Sequence, residues 1–491
     1  MTNLPSSFAR WLTPLAAALV LAGCASVAEL PATVATPAQF KEAPAAQAGT
    51  AAVQPAGDWW RAFNDPVLDD LVARAAASNT SIQQAAARLA EARALARSVD
   101  ADRSVQAGLN AGASRGQGLD RNQLNRPTTL LNAGASVSYE LDLFGRLSGA
   151  SNAALLDAQG SAASLQSAKL LVQAEVAQNY LTLRALDDER TLMRDTVEAY
   201  RDTLRLTERR ERAGDLAELD VARVQTELAS TESDALALDR QRALAEHALA
   251  VLLGETASQF SLSSEAWRTA LPRIPAGLPS TVLERRPDVL AAQKTVMAAQ
   301  ARLGVAQTAW FPSISLTGGG GYASPDLGDL FKWSARSWGI GALLSLPILD
   351  GGRREAGVQS ASAQLDGALA TYRSQVLVAF REVEDQLASL RLLDEQAAVQ
   401  ARAVSSAARA TSLSDTRYRN GYVSQLDLLD ARRSELRNRR QALQVRSAQY
   451  QATVGLIRAI GGGWGDVQLA AAEPAAATRM SSATPIEKAL E

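Results

Sequence analysis

The sequence predicts a mainly α chain, internally duplicated, that contributes four strands to a β-barrel in a membrane. Three observations lead there: a repeat offset by 207 residues, four stretches of alternating apolar and polar side chains, and proline-free runs far longer than an ordinary globular helix. The composition agrees. The 491 residues are 47% hydrophobic but 5% aromatic, with one His and one Cys. Their Ala, Leu, Gln and Arg tracts suit extended helices, because these side chains lose little freedom when helical.

The repeat organises the body. Gly145-Arg146 recurs as Gly352-Arg353, and the same offset aligns Leu109 with Leu316, Ser138 with Ser345, Glu175-Val176 with Glu382-Val383, and Leu219-Asp220 with Leu426-Asp427. Two halves follow, 59–270 and 271–465. Each reads as a helix (79–100, then 286–309), a strand, a polar loop, a second strand, a very long helix, a glycine break and a returning helix.

The strands are expected at about 103–114, 131–143, 313–322 and 338–347. In the second, Leu131, Ala133, Ala135, Val137, Tyr139, Leu141 and Leu143 alternate with Asn132, Gly134, Ser136, Ser138, Glu140 and Asp142. Runs of this length, greasy on one side, suit a transmembrane barrel. The competing reading is a soluble sheet of two amphipathic hairpins, which lacks a partner layer to cover it. Four strands cannot close a barrel and a bilayer tolerates no open sheet edge, so closure requires several chains.

The long helices are expected at 146–213 and 353–420, each roughly 100 Å at about 1.5 Å per residue. Gly214 and Gly421 end them, and the returns run 216–253 and 424–460.

At the start, Arg10 precedes an apolar run from Trp11 to Gly23 that ends in Leu21-Ala22-Gly23-Cys24. It is too short to span a bilayer and has the layout of a cleaved secretory signal, residues 1–23. Its last four residues match the lipobox of bacterial lipoproteins, which implies lipid on Cys24. Residues 24–58 read as an extended tether and 466–491 as a flexible tail. With one Cys, no disulfide forms within the chain.

Several chemistries are excluded. The formal charge of −2 gives no case for nucleic acid, and Arg432, Arg433, Arg437, Arg439 and Arg440, interrupted by Glu435, read as a solvated helix face. His247 stands alone, so no metal site is expected. Gly318 to Gly321 lacks a following Gly-Lys-Ser/Thr and lies inside a strand, where it is expected to permit bending. No nucleophile constellation points to an enzyme, and no cofactor beyond the lipid is called for.

One family shares these motifs. Trp59-Trp60 with Phe63 and Asp65-Pro66, the run Tyr139 to Arg146, Leu283-Glu284-Arg285-Arg286-Pro287-Asp288-Val289, Trp310-Phe311-Pro312, the run Pro347 to Arg353, and Arg417-Tyr418 through Ala431 resemble the TolC-like outer-membrane efflux factors. Within them the chain is similar to the NodT-type lipoprotein branch typified by OprM. The resemblance implies a homotrimer with a twelve-stranded barrel in the outer membrane, continuous with a twelve-helix periplasmic α-barrel. It implies as partners a periplasmic adaptor, an RND-type inner-membrane transporter and outer-membrane lipid. It also implies a periplasmic gate at Asp220, Leu426, Asp427 and Asp430, and adaptor docking near Gly214 and Gly421. Some relatives carry an Arg two residues after the second glycine, where this chain has Val423; Arg223 is a substitute partner by hypothesis. A coiled-coil periplasmic lipoprotein that forms no pore is the alternative, and it leaves the four strands unused.

Overall fold

Two copies of one helical design hang from a four-stranded sheet in the computed structural model, which describes residues 36–43, 58–117, 127–275 and 279–463. The signal, Cys24 and the tail 466–491 lie outside the described residues. After a 3-10 turn at Trp59–Phe63 come α1 (Pro66–Ser78), α2 (Thr80–Ala101), β1 (Gln106–Gln117), β2 (Pro127–Leu141), α3 (Arg146–Arg212) and α4 (Glu218–Leu252). The second half supplies α5 (Pro279–Arg285), α6 (Pro287–Thr308), β3 (Ser313–Ser324), β4 (Arg336–Ser345), α7 (Arg353–Arg419) and α8 (Gln425–Ala459).

The strands are displaced from their expected bounds for local reasons. Turn bonds from Arg103 to Asp100 and Ser104 to Ala101 delay β1. Asp142 leaves the ladder to accept from the Leu147 and Ser148 N–H groups at the start of α3, at 3.0 and 2.7 Å, which ends β2 before 143. Pro347 has no N–H to offer a ladder, and β4 stops at Ser345. α1 and α5 are additional short helices that the periodicity does not separate.

The sheet is antiparallel in the order β1-β2-β3-β4. Its register pairs Leu109 with Ala135, Ala135 with Gly320, and Gly320 with Trp338. Paired residues share a face, so most apolar positions of the four strands fall together on one side and Ser, Asn and Gly predominate on the other, which also carries Leu130 and Leu343. That apolar side is bare: Leu109 is 91% and Ile340 85% exposed. Within the glycine run, close approach is the requirement at Gly321. A Cβ on Gly321 would lie 2.3 Å from the Ala133 carbonyl oxygen on β2.

Below the sheet the helices form four columns. Nearer the strands the neighbours run α2-α3-α6-α7, and nearer the glycine turns α4-α3-α8-α7. α3 and α7, 67 residues each, traverse both levels. The other two columns are built from stacked helices, α2 on α4 and α6 on α8, and the same joint closes both. Asn79, the N-cap of α2, donates from Nδ2 to the Leu252 carbonyl of α4 at 2.8 Å. Arg286, the N-cap of α6, donates from Nη1 to the Ala459 carbonyl of α8 at 3.1 Å. Both donors and both acceptors are 207 residues apart, so the duplication extends to individual hydrogen bonds.

Most of the core lies in a belt at these joints, with Trp59, Phe63, Leu68, Tyr180, Leu253, Trp267, Tyr450 and Leu456 all buried. The motif around Asp65 earns its place here. One oxygen caps α1 through the Val67 and Leu68 N–H groups, and the other accepts from Tyr180 at 2.8 Å and Thr269 at 2.6 Å. The tether is also not wholly extended. Phe40 is buried edge-on to Phe380, and the Lys41 and Glu42 N–H groups donate to Glu384 on α7 at 2.7 and 3.0 Å.

Candidate functional site

At the end remote from the sheet, each long helix stops at a glycine with a left-handed backbone, Gly214 at φ 82° and Gly421 at φ 77°. Asp215 N–H reaches back to the Arg210 carbonyl, and Tyr422 N–H to that of Arg417, each at 2.9 Å. These bonds satisfy carbonyls that a helix end would leave bare. No atom lies within 4 Å of a Cβ built on either glycine, so both turns are open surfaces.

The four predicted gate residues gather just beyond these turns, in the first two turns of α4 and α8. Leu426, Asp427 and Asp430 are exposed and Asp220 is partly so. Each acid is tied within its own chain. Asp427 forms a capping box with Ser424, accepting from the Ser424 N–H at 3.0 Å and its hydroxyl at 2.7 Å while its own N–H donates to the Ser424 oxygen. The Ser424 hydroxyl and N–H hold the Asp427 carboxyl below the usual carboxylate range. Asp430 pairs with Arg433 at 3.2 Å, and Asp220 with Arg223 at 3.7 Å. Arg223 thus sits beside the first acid on its own helix.

The arginine row on α8 forms the expected solvated face at Arg433, Arg437 and Arg439 and is half-buried at Arg432 and Arg440. Arg433 bonds Glu227 on α4, and burial of that guanidinium is outweighed by this bond, which raises its pKa. Arg440 reaches Glu189 on α3 at 2.7 Å, and Arg432 donates to the Thr203 hydroxyl. Gln425, buried, donates to Thr207 at 2.8 Å. The second hairpin is therefore laced to the first along its length. Arg437 and Arg439 stay clear of the first hairpin, Arg439 pairing with Glu435 one turn back. Sequence reasoning missed Ser424, although Ser-x-x-Asp ahead of a helix is a readable cap. It missed the lacing because the partners are some 200 residues away.

Among the described residues no cluster of His, Cys, Asp and Glu could hold a metal ion, and no helix is long and apolar enough to cross a membrane. A bare apolar sheet face, four helical columns and paired glycine turns are the features a family comparison can decide. The model of the outer membrane efflux protein family matches residues 71–255 and again 278–462. The second match starts and ends 207 residues after the first. The chain belongs to the outer membrane efflux protein family.

Individual relatives of this efflux protein extend the match along its length. It is 32% identical over 463 residues to the pyoverdine export outer membrane protein OpmQ of Pseudomonas aeruginosa, covering 92% of this chain and 97% of the other. It is 31% identical to the cation efflux system protein CusC of Escherichia coli, covering 92% and 98%. The solved structure of the outer-membrane channel OprN superimposes with a TM-score of 0.81 at 30% identity, over 89% of this chain and 99% of that one. The efflux protein is thus an outer-membrane protein with the TolC-like fold.

Proposed function

We propose that three copies of this chain close into a passive exit duct through the outer membrane, gated at the glycine-turn end. In this reading an adaptor docks at Gly214 and Gly421, an inner-membrane RND-type transporter supplies the energy, and lipid on Cys24 anchors each copy. The chain itself performs no catalysis and needs no other cofactor.

The observation that carries the reading is that both lateral edges of the protomer are unfinished. β1 and β4 are the outer strands of the sheet, and their unpaired backbone groups cannot remain so in hydrocarbon. Below them the edge columns carry exposed apolar side chains: Leu95 on α2 and Leu236, Leu244 and Val251 on α4 at one edge, Leu377, Leu392, Val399 and Leu413 on α7 at the other. Leu392, Val399 and Leu413 recur at multiples of seven, as a helix seam requires. A ring of three joins each α7 edge to the next chain's α2 and α4 edge, and each β4 to a β1.

Twelve strands about 4.8 Å apart, tilted about 40°, enclose a cylinder roughly 24 Å across between backbones. The face opposite the apolar one is lined by small residues, including Gly108, Gly112, Ser136, Gly319, Gly339 and Gly341, which leave such a lumen open. The cargo named for relatives, pyoverdine in one and cations in another, fits a duct that does not select.

Leu392→Arg with Val399→Arg should convert heat-modifiable trimers in membrane extracts to monomers and abolish conductance in planar bilayers. A wild-type chain that stays monomeric and never conducts would favour the scaffold reading. For docking, Gly421→Trp should abolish drug export in cells, whereas Gly421→Asn, which tolerates the left-handed backbone, should retain it. Export surviving the Trp substitution would remove Gly421 from the adaptor surface.

A further inference from the structure

The far end of the sheet carries a feature that a plain hydrophobic band does not need. Arg336 opens β4 and pairs in register with Tyr322, so it shares the apolar face with Trp338 and Ile340. Its guanidinium carbon lies 4.3 Å from the ring centroid of Trp333, and Nη1 donates to the Trp333 carbonyl at 3.0 Å. No carboxylate pairs with it among the described residues. Trp333 itself is 73% exposed, and Phe331 packs edge-on against Tyr322. Arg115 stands on the same face at the same end of β1, two positions beyond Ala113.

A cation on the lipid side of a barrel is costly at mid-bilayer and tolerated at the interface. Aromatic rings mark that same level. Stacking on an indole holds the guanidinium plane while spending few of its five donors, and a guanidinium matches phosphate oxygens in pairs. Resting on the channel reading above, we propose that Arg336, stacked on Trp333, and Arg115 bind phosphate groups of the glycolipid in the outer leaflet. The two arginines lie on opposite outer strands of the sheet, and the continuity of each with the apolar face, with no carboxylate paired to either among the described residues, selects lipid headgroups over a protein partner.

The test is binding of purified lipopolysaccharide to the detergent-solubilised full-length trimer. Arg336→Gln with Arg115→Gln should weaken binding about tenfold, Arg336→Lys should give an intermediate loss, and enzymatic removal of the lipid phosphates should weaken binding to the wild type comparably. Equal binding by wild type and double variant, or indifference to the phosphates, overturns the inference. Displacement by millimolar inorganic phosphate would assign the site to small anions and overturn it too. Conductance in bilayers of uncharged lipid separates the two readings. A conducting wild type with unchanged binding in the variant sinks this inference alone, whereas a wild type that never conducts sinks both.

Discussion

Replacing Arg286 by alanine should destabilise the folded chain by about 3 kcal/mol, the lower end of what breaking a buried ion pair costs. The guanidinium is almost fully enclosed and holds three elements together. It meets Asp288 in its own helix at 2.6 Å, Glu382 on α7 at 2.7 Å and the terminal carbonyl of α8. Its loss takes the nearest cation from two carboxylates and a donor from one carbonyl, leaving Asp288 the Val289 N–H and the Gln375 amide and Glu382 the more distant Arg458 at 3.7 Å. The lower end applies because Asp288 and Glu382 keep 28% and 24% of their side-chain surface in solvent. Asn79→Ala, at the equivalent joint, removes neutral bonds only and should cost about 1 kcal/mol.

Acid should reveal the same pair. Burial alone would raise the Asp288 pKa, but the Arg286 guanidinium, the Val289 N–H and the Gln375 amide outweigh it and leave it lowered. The contribution is therefore fully present above the unfolded value, about 3.9, and disappears as pH falls through the folded one. Urea midpoints measured from pH 6 down to pH 2 should fall less steeply in Arg286→Ala than in the wild type. A variant within 1 kcal/mol of wild type, with an unchanged acid slope, would show that the joint is held by packing alone.

That joint also shows what a single sequence reveals. Leu283 to Val289 is recognisable as a motif, and the 207-residue offset is plain from Gly145 and Gly352. Periodicity places every strand and long helix, because one-sided greasiness is a local property. The role of Arg286 is not local: Glu382 and Ala459 are 96 and 173 residues away. The reach of the α8 arginines is hidden for the same reason. Arg433 beside Asp430 reads as a surface pair until Glu227 arrives from the other hairpin. Phe40 gave no signal, since one aromatic in an Ala- and Pro-rich stretch has no period. The Asp427 cap was legible and was passed over for the more interesting role of a pore acid.

Those two roles of Asp427 can be separated by experiment. In the proposed ring of three chains Asp430 shares Arg433 with Glu227 and Asp220 pairs with Arg223, while Asp427 is held by the uncharged Ser424. Of the three acids of the proposed gate, Asp427 is therefore the one with no arginine beside it. Its carboxyl lies below the usual range, so the charge persists to lower pH than that of a free carboxylate. Asp427→Asn keeps an oxygen to accept from Ser424 and removes only the charge, whereas Asp427→Ala also breaks the cap, at about 1 kcal/mol. Asp427→Asn should shift the reversal potential in asymmetric KCl towards zero and, combined with Asp430→Asn, raise single-channel conductance several-fold, because a carboxylate ring both attracts and detains cations. Asp430→Asn alone should do less to selectivity and leave Arg433 on Glu227. Lowering the pH should reproduce the selectivity change in the wild type and leave Asp427→Asn flat. If the reversal potential is the same in both chains, Asp427 is a helix cap and the constriction lies elsewhere.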